Sequence, residues 1–122
     1  MTTILIVDDE YLIADILSFA LEDEGYMTVT AGSGQRALSI LEREQPQLII
    51  TDYMMPGMNG IEFAEAVRAH RLMHSVPLVL MSGAQAHLGM ERPDLFVEVF
   101  DKPFDIYALV SRVKFLLQSE EI

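Results

Sequence analysis

Asp8, Asp9, Asp52, Ser82 and Lys102 are the residues of this 122-residue chain whose types and settings could do chemistry together. Asp8 and Asp9 close the apolar run of "ILIVDDE", Asp52 ends "QLIITD", Ser82 follows "PLVLM", and Lys102 lies in "VFDKPF". Crowded carboxylates repel one another, so each is pushed toward its protonated form unless a cation intervenes. Lys102 offers one positive charge, and a hard divalent cation offers more. Mg²⁺ prefers oxygen ligands, near-octahedral geometry and retained waters. One or two of these carboxylates, a backbone carbonyl and a substrate phosphate would suit it. An aspartate can act as nucleophile in phosphoryl transfer by forming an acyl phosphate, which makes Asp52 a candidate. The group in transfer spreads charge over its equatorial oxygens, which the Lys102 ammonium and the Ser82 hydroxyl are suited to hold.

Such a cluster needs elements that bring distant residues to one place. Short runs rich in β-branched residues predict strands at 3–7, 27–30, 48–51, 78–81 and 96–100. Between them the apolar period is helical. Ile13, Ile16, Leu17, Ala20 and Leu21 form one stripe, Ala37, Ile40 and Leu41 a second, Phe63, Ala64 and Val67 a third. The last stripe is Ile106, Leu109, Val110, Val113 and Leu117. Gly25 ends the first helix, Ser33 caps the second, and Pro46 stops it. Residues 83–95 are the weak segment, because Gly89 and Pro93 interrupt any helix there, so the fourth helix is expected to be short or mobile. Strands alternating with helices predict an α/β fold, a doubly wound five-stranded parallel sheet covered on both faces. Ligands of such sheets sit beyond the carboxyl ends of the strands, and those ends carry Asp8, Asp9, Asp52, Ser82 and Lys102. Any one of these acids alone is most often a turn former or a cap, and a lone lysine or serine belongs to the surface. Their joint occurrence at four strand ends is what points to a site.

Composition narrows the classes of function. A formal net charge of -11 opposes binding to DNA or anionic lipid, since the average field repels phosphate. Cysteine is absent, which excludes disulfides and thiolate metal sites. No run of apolar residues is long enough for a membrane span, and no secretory pattern precedes the first strand. The expectation is one cytoplasmic domain over residues 1–122. His70, His74 and His87 lack a metal-ligand spacing, and Met54, Met55 and Met58 read as loop packing.

With these motifs in place, the chain resembles the receiver domain of two-component response regulators over essentially its full length. "ILIVDDE" resembles the first-strand acidic pair of that family, and "LIITDYMMPGMNGIE" its phosphoacceptor strand with the following Pro–Gly loop. "PLVLMSG" resembles the fourth strand with its hydroxyl residue, and "VFDKPF" the lysine–proline segment. The resemblance implies a flavodoxin-like fold with strand order 2-1-3-4-5. It implies phosphorylation of Asp52 by a sensor histidine kinase or phosphotransfer protein, and an altered surface for a downstream effector protein. It implies Mg²⁺ on Asp9, Asp52 and the Met54 carbonyl, with Asp8 acting mostly through water. Lys102 would contact the phosphoryl group and Ser82 would move to hold it. A signalling module rather than an enzyme is expected, assisting only its own phosphotransfer and dephosphorylation. It would be a monomer or weak dimer with no direct contact to nucleic acid or membrane.

The sequence departs from the family pattern at three places. Val99 stands where an aromatic rotamer switch is usual, and Phe100 should face the other side of its strand. The spacing from Ser82 to Lys102 is short, within the segment around Gly89 and Pro93. Met54 and Ala84 replace polar residues that influence hydrolysis. Order and disorder of residues 83–93 are therefore expected to carry the switch. A cis bond is expected between Lys102 and Pro103, where the lysine must turn into the cleft. Rival readings are a phosphatase with an aspartate nucleophile, a flavodoxin and a receiver-like interaction module that is never phosphorylated. The first usually places Asp-x-Asp after strand one and carries a cap. The second needs a hydroxyl- and glycine-rich loop where this chain is acidic. The third is opposed by the intact Asp8, Asp9, Asp52, Ser82 and Lys102.

Overall fold

Five apolar segments pair side by side into a parallel sheet, β1 (Thr3–Val7), β2 (Met27–Ala31), β3 (Leu48–Asp52), β4 (Leu78–Ser82) and β5 (Glu98–Asp101). The order is β2-β1-β3-β4-β5, as expected. The computed structural model describes residues 2–120. The helices are α1 (Tyr11–Glu22), α2 (Gly34–Glu44), α3 (Gly60–Arg68), α4 (Ala86–Met90) and α5 (Ile106–Glu120). Each strand rises toward the same edge, so the register sets Val7 beside Thr51, Asp52 beside Met81, and Ser82 beside Asp101.

Side chains of a strand alternate between faces, and the core divides accordingly. Leu5, Val7, Ile49, Leu78 and Leu80 pack with Ala37, Ile40 and Leu41 of α2 and Phe63, Ala64 and Val67 of α3. Ile4, Ile6, Leu48, Ile50, Val79 and Met81 pack with α1 and α5 through Leu17, Leu21, Leu109 and Val113. Each buried Leu or Ile contributes roughly 1.5–3 kcal/mol. Both faces of β1, β3 and β4 are thus covered, which is why these strands read as unbroken apolar runs. Val99 joins the first cluster and Phe100 the second, so the two do face opposite sides.

Local signals act where the sequence places them. Ser33 Oγ accepts from the Arg36 amide at 3.1 Å and caps α2. Gln45, in the left-handed region at φ 43°, ends that helix ahead of Pro46. Gly25, at φ 94°, turns the chain out of α1 toward β2. Asn59 and Glu62 form a reciprocal capping box on α3.

Three expectations shift. The fourth helix is short, but it runs through Gly89 rather than breaking there. Strand five begins at Glu98 and not at residue 96, because the amides of Leu95 and Phe96 both donate to the Arg92 carbonyl and close a turn. Phe96 is buried from that turn instead. Ile16 belongs by period to the buried stripe of α1, yet it is exposed with Tyr11, Leu12 and Phe19. Among the described residues, no helix is long and apolar enough to cross a membrane.

Candidate active site

Four strands deliver residues at or just past their ends to one cleft. The Asp8 amide donates to Ala31 O at 3.0 Å, which fixes the residue just past β1. Asp8 is only 2% exposed; its Oδ1 accepts from the Glu10 amide at 2.9 Å, and its Oδ2 is buried with no hydrogen-bond partner. Asp52 is buried at the end of β3, with Lys102 Nζ 3.0 Å from its Oδ1. Lys102 follows β5, and its amide donates to Ser82 O at 2.8 Å, tying the ends of β4 and β5 together. The Lys102–Pro103 peptide is cis, as expected. Ser82 is buried, and its Oγ has no partner. Asp9, Glu10, Asp52, Met54, Gly83 and Lys102 line an open cleft of about 560 Å³ above these groups.

The structure therefore brings Asp8, Asp52, Ser82 and Lys102 together and sets Asp9 and Met54 at the mouth. It also adds a residue that sequence reasoning missed. Among the described residues, the carboxylates that gather within 4.8 Å of one another are those of Asp8, Glu10 and Asp52, without Asp9. The cause is local. The Asp8 side chain accepts from the amide two residues on, an Asx-type turn, and this folds Glu10 back over the cleft. Asp9 and Glu10 are both exposed, but of the two only the Glu10 carboxylate reaches the group. The signal was present in "DDE", where residues two apart along extended chain share a side.

Burial dominates the electrostatics. It pushes the Asp8 carboxyl up to about 6, against the lowering effect of the Glu10 amide; the nearby Asp52 charge raises it further and Lys102 lowers it. Asp52 is also raised, by burial first, with the Lys102 hydrogen bond and charge opposing. Burial lowers Lys102, but its hydrogen bond to Asp52 and the surrounding carboxylates outweigh this and hold it above the ordinary lysine value. Repulsion between acids, expected as the main cause, is thus secondary to loss of water.

The donor set fits a hard cation and a phosphoryl group. Every candidate ligand is an oxygen, the net charge of the cluster is negative, and two buried oxygens, Asp8 Oδ2 and Ser82 Oγ, await partners. Lys102 also borders a second, apolar groove of about 450 Å³, formed by Ile13, Ile16, Leu17, Pro103, Phe104 and Ile106.

A parallel sheet in this order, with an acidic cleft closed by a lysine at its carboxyl edge, is a flavodoxin-like fold whose site suits a cation and a phosphoryl group. The family model described as response regulator receiver domain matches residues 4–114, and the chain belongs to that family. It is 36% identical over 123 aligned positions to the alkaline phosphatase synthesis transcriptional regulatory protein PhoP of Bacillus subtilis, covering 98% of this chain and 50% of that protein. It is likewise 36% identical to the DNA-binding response regulator MtrA of Mycolicibacterium smegmatis, covering 97% of this chain and 51% of that protein. The chain thus spans about half the length of the curated relatives it matches. The crystal structure of the response regulator TrrA from Thermotoga maritima, in complex with Mg²⁺-BeF, superposes with a TM-score of 0.83 at 32% identity, covering 95% of this chain and 99% of that one. The chain is a two-component receiver domain, and so a signalling module rather than an enzyme.

Proposed function

We propose that residues 1–122 form one receiver domain that takes a phosphoryl group on Asp52 from a histidine kinase or phosphotransfer protein. A carboxylate oxygen of Asp52 attacks phosphorus, the bond from phosphorus to the donor imidazole nitrogen breaks, and the imidazole leaves with that electron pair. The observation that carries this reading is the buried Asp52 carboxylate paired with Lys102 at 3.0 Å and flanked by an unpartnered Ser82 hydroxyl. Lys102 holds one phosphoryl oxygen, and Ser82 Oγ turns to donate to another. Mg²⁺, when bound, would neutralise charge on the phosphoryl oxygens and relieve the crowding of carboxylates. Asp8, Asp52 and the Met54 carbonyl would hold it, with Asp9 or Glu10 completing the oxygen shell. The domain assists its own phosphotransfer and the later loss of the phosphate.

The apolar groove beside Lys102 and the exposed Tyr11, Leu12 and Phe19 of α1 supply a surface for the phosphodonor protein, because both clefts share Lys102. A downstream effector protein reads the changed surface. The net charge of -11 supports protein partners, without direct contact of these residues to nucleic acid or lipid. A cytoplasmic setting follows from a cytoplasmic donor kinase. The test is intact-protein mass after incubation with Mg²⁺ and a small phosphodonor. Wild type gains one base-labile phosphoryl group and Asp52→Asn gains none; equal labelling of the variant would remove the assignment.

A further inference from the structure

The cleft above Asp52 is bordered by one neutral polar side chain. Among the described residues that line it, Asp9, Glu10 and Asp52 are acids, and Lys102 is tied to Asp52 at 3.0 Å. Two methionines, a proline and a glycine bring no hydroxyl or amide side chain. Gln85 is what remains. Its backbone is firmly seated. The Gln85 carbonyl accepts from the Leu88 amide at 3.0 Å, and Ala86 beside it is buried. Gln85 stands at the start of α4, yet its side chain makes no hydrogen bond to cap that helix. The segment therefore holds a half-buried carboxamide at the rim of the cleft without using it in the helix. Such a group differs from its neighbours. It is neutral, so it adds no repulsion where acids already crowd, and its Oε1 is a good acceptor. Hydrolysis of a phosphoryl group needs an acceptor of this kind, because the attacking water must be held in line with the bond that breaks. Neither the Met54 thioether nor the Ala84 methyl can hold a water in that way.

We propose that Gln85 orients the water that removes the phosphoryl group from Asp52, and so sets how long the phosphorylated state lasts. This role rests on Asp52 as phosphoacceptor. Gln85 Oε1 accepts a hydrogen bond from the water. The water oxygen attacks phosphorus as the bond from phosphorus to the Asp52 carboxylate oxygen breaks. The carboxylate leaves with that electron pair, one water proton passes to a phosphoryl oxygen, and dihydrogen phosphate departs. Gln85 gains and loses no proton, so it acts by position alone. In the forward transfer the donor group fills the place that the water takes in hydrolysis. The carboxamide then has no water to hold, and the rate of phosphorylation does not depend on it.

The experiment labels the whole chain with Mg²⁺ and a small phosphodonor, removes the donor and follows the phosphorylated mass. Gln85→Leu removes the acceptor and keeps most of the bulk. It should gain phosphate at the wild-type rate and lose it about tenfold more slowly, the worth of one hydrogen bond in the transition state. His87→Leu, a change of similar kind at an exposed position outside the cleft, should decay as wild type does. Met54→Asn supplies another acceptor at the mouth, so combining it with Gln85→Leu should restore decay, which a merely structural role of Gln85 would not allow. In wild type, the side-chain amide resonances of Gln85 should shift when beryllofluoride, a stable stand-in for the phosphoryl group, is added with Mg²⁺. Equal lifetimes of wild type and Gln85→Leu, a labelling rate that falls in step with decay, or no rescue by Met54→Asn overturns the water-holding role and leaves the phosphoacceptor reading standing. So does a slowing that His87→Leu shares, or a Gln85 side chain blind to beryllofluoride. Labelling that proceeds equally in Asp52→Asn overturns both.

Discussion

Asp8 is the residue on which the metal-free protein depends in an unexpected direction. Its carboxyl is raised from 3.8 to about 6, so the folded chain binds this proton more tightly than the unfolded chain does. The stability it contributes is therefore full below the unfolded value and is lost as pH rises through about 6. In a chelator, wild type should lose on the order of 2 kcal/mol relative to Asp8→Asn between about pH 4 and pH 7. Urea melts of both proteins across that range check it, and parallel curves would count against a buried, raised Asp8. In the proposed Mg²⁺ shell, Glu10 and Asp9 are alternatives for one position. Glu10→Gln should weaken Mg²⁺ binding more than Asp9→Asn if the gathered carboxylates mark the ligands, and calorimetric titration of both decides. Met54, 62% exposed at the cleft mouth, offers water no hydrogen bond for an in-line attack on phosphorus. Phosphate should leave wild type more slowly than Met54→Asn, as followed by the decay of the phosphorylated mass; equal lifetimes would remove Met54 from the account.

Elements explain how much of this could be read in advance. Strands β1, β3 and β4 were legible because burial on both faces leaves an unbroken apolar run, and Ser33 and Pro46 marked the ends of α2 by their chemistry. Helix α4 was not legible in full. Propensity counts Gly89 as a breaker, while the structure needs it where the helix touches Leu80 and Val99, a constraint no local window contains. The start of strand five failed for a related reason, since a carbonyl at Arg92 captured the amides of Leu95 and Phe96. Glu10 was missed because its two-residue spacing from Asp8 places the two on one side only once the turn on the Asp8 carboxylate is known. Gly60 makes a prediction at this scale. A Cβ there would stand 2.5 Å from Asp52 O and 3.0 Å from Tyr53 Cα, so α3 begins against the backbone of the acceptor strand. Gly60→Ala should destabilise the chain by about 1–3 kcal/mol and slow phosphorylation of Asp52, as chemical denaturation and labelling rates would show. An unchanged melt would mean that α3 gives way freely.

At the scale of the whole molecule, a charge of -11 is carried close together. Monovalent salt should raise the melting temperature of the metal-free protein modestly by screening. Mg²⁺ should raise it further at far lower concentration, because binding to the folded state alone stabilises it by mass action. That increment should disappear in Asp52→Asn combined with Asp8→Asn. If salt and Mg²⁺ act alike at equal ionic strength, general screening explains both.

The single bond from the Lys102 amide to Ser82 O has a consequence for ancestry and engineering. It joins the two residues that would grip a phosphoryl group, yet the chain between them, residues 83–101, makes a long excursion before returning. The bond closes the two ends of that excursion, and of its residues only Gly83 and Gln85 are among those lining the cleft around Asp52. Such a segment can be exchanged between relatives as a cassette, altering who listens while leaving the transfer step untouched. Swapping it from a relative with a full-length fourth helix should move partner choice with the cassette and leave the labelling rate of Asp52 with the host.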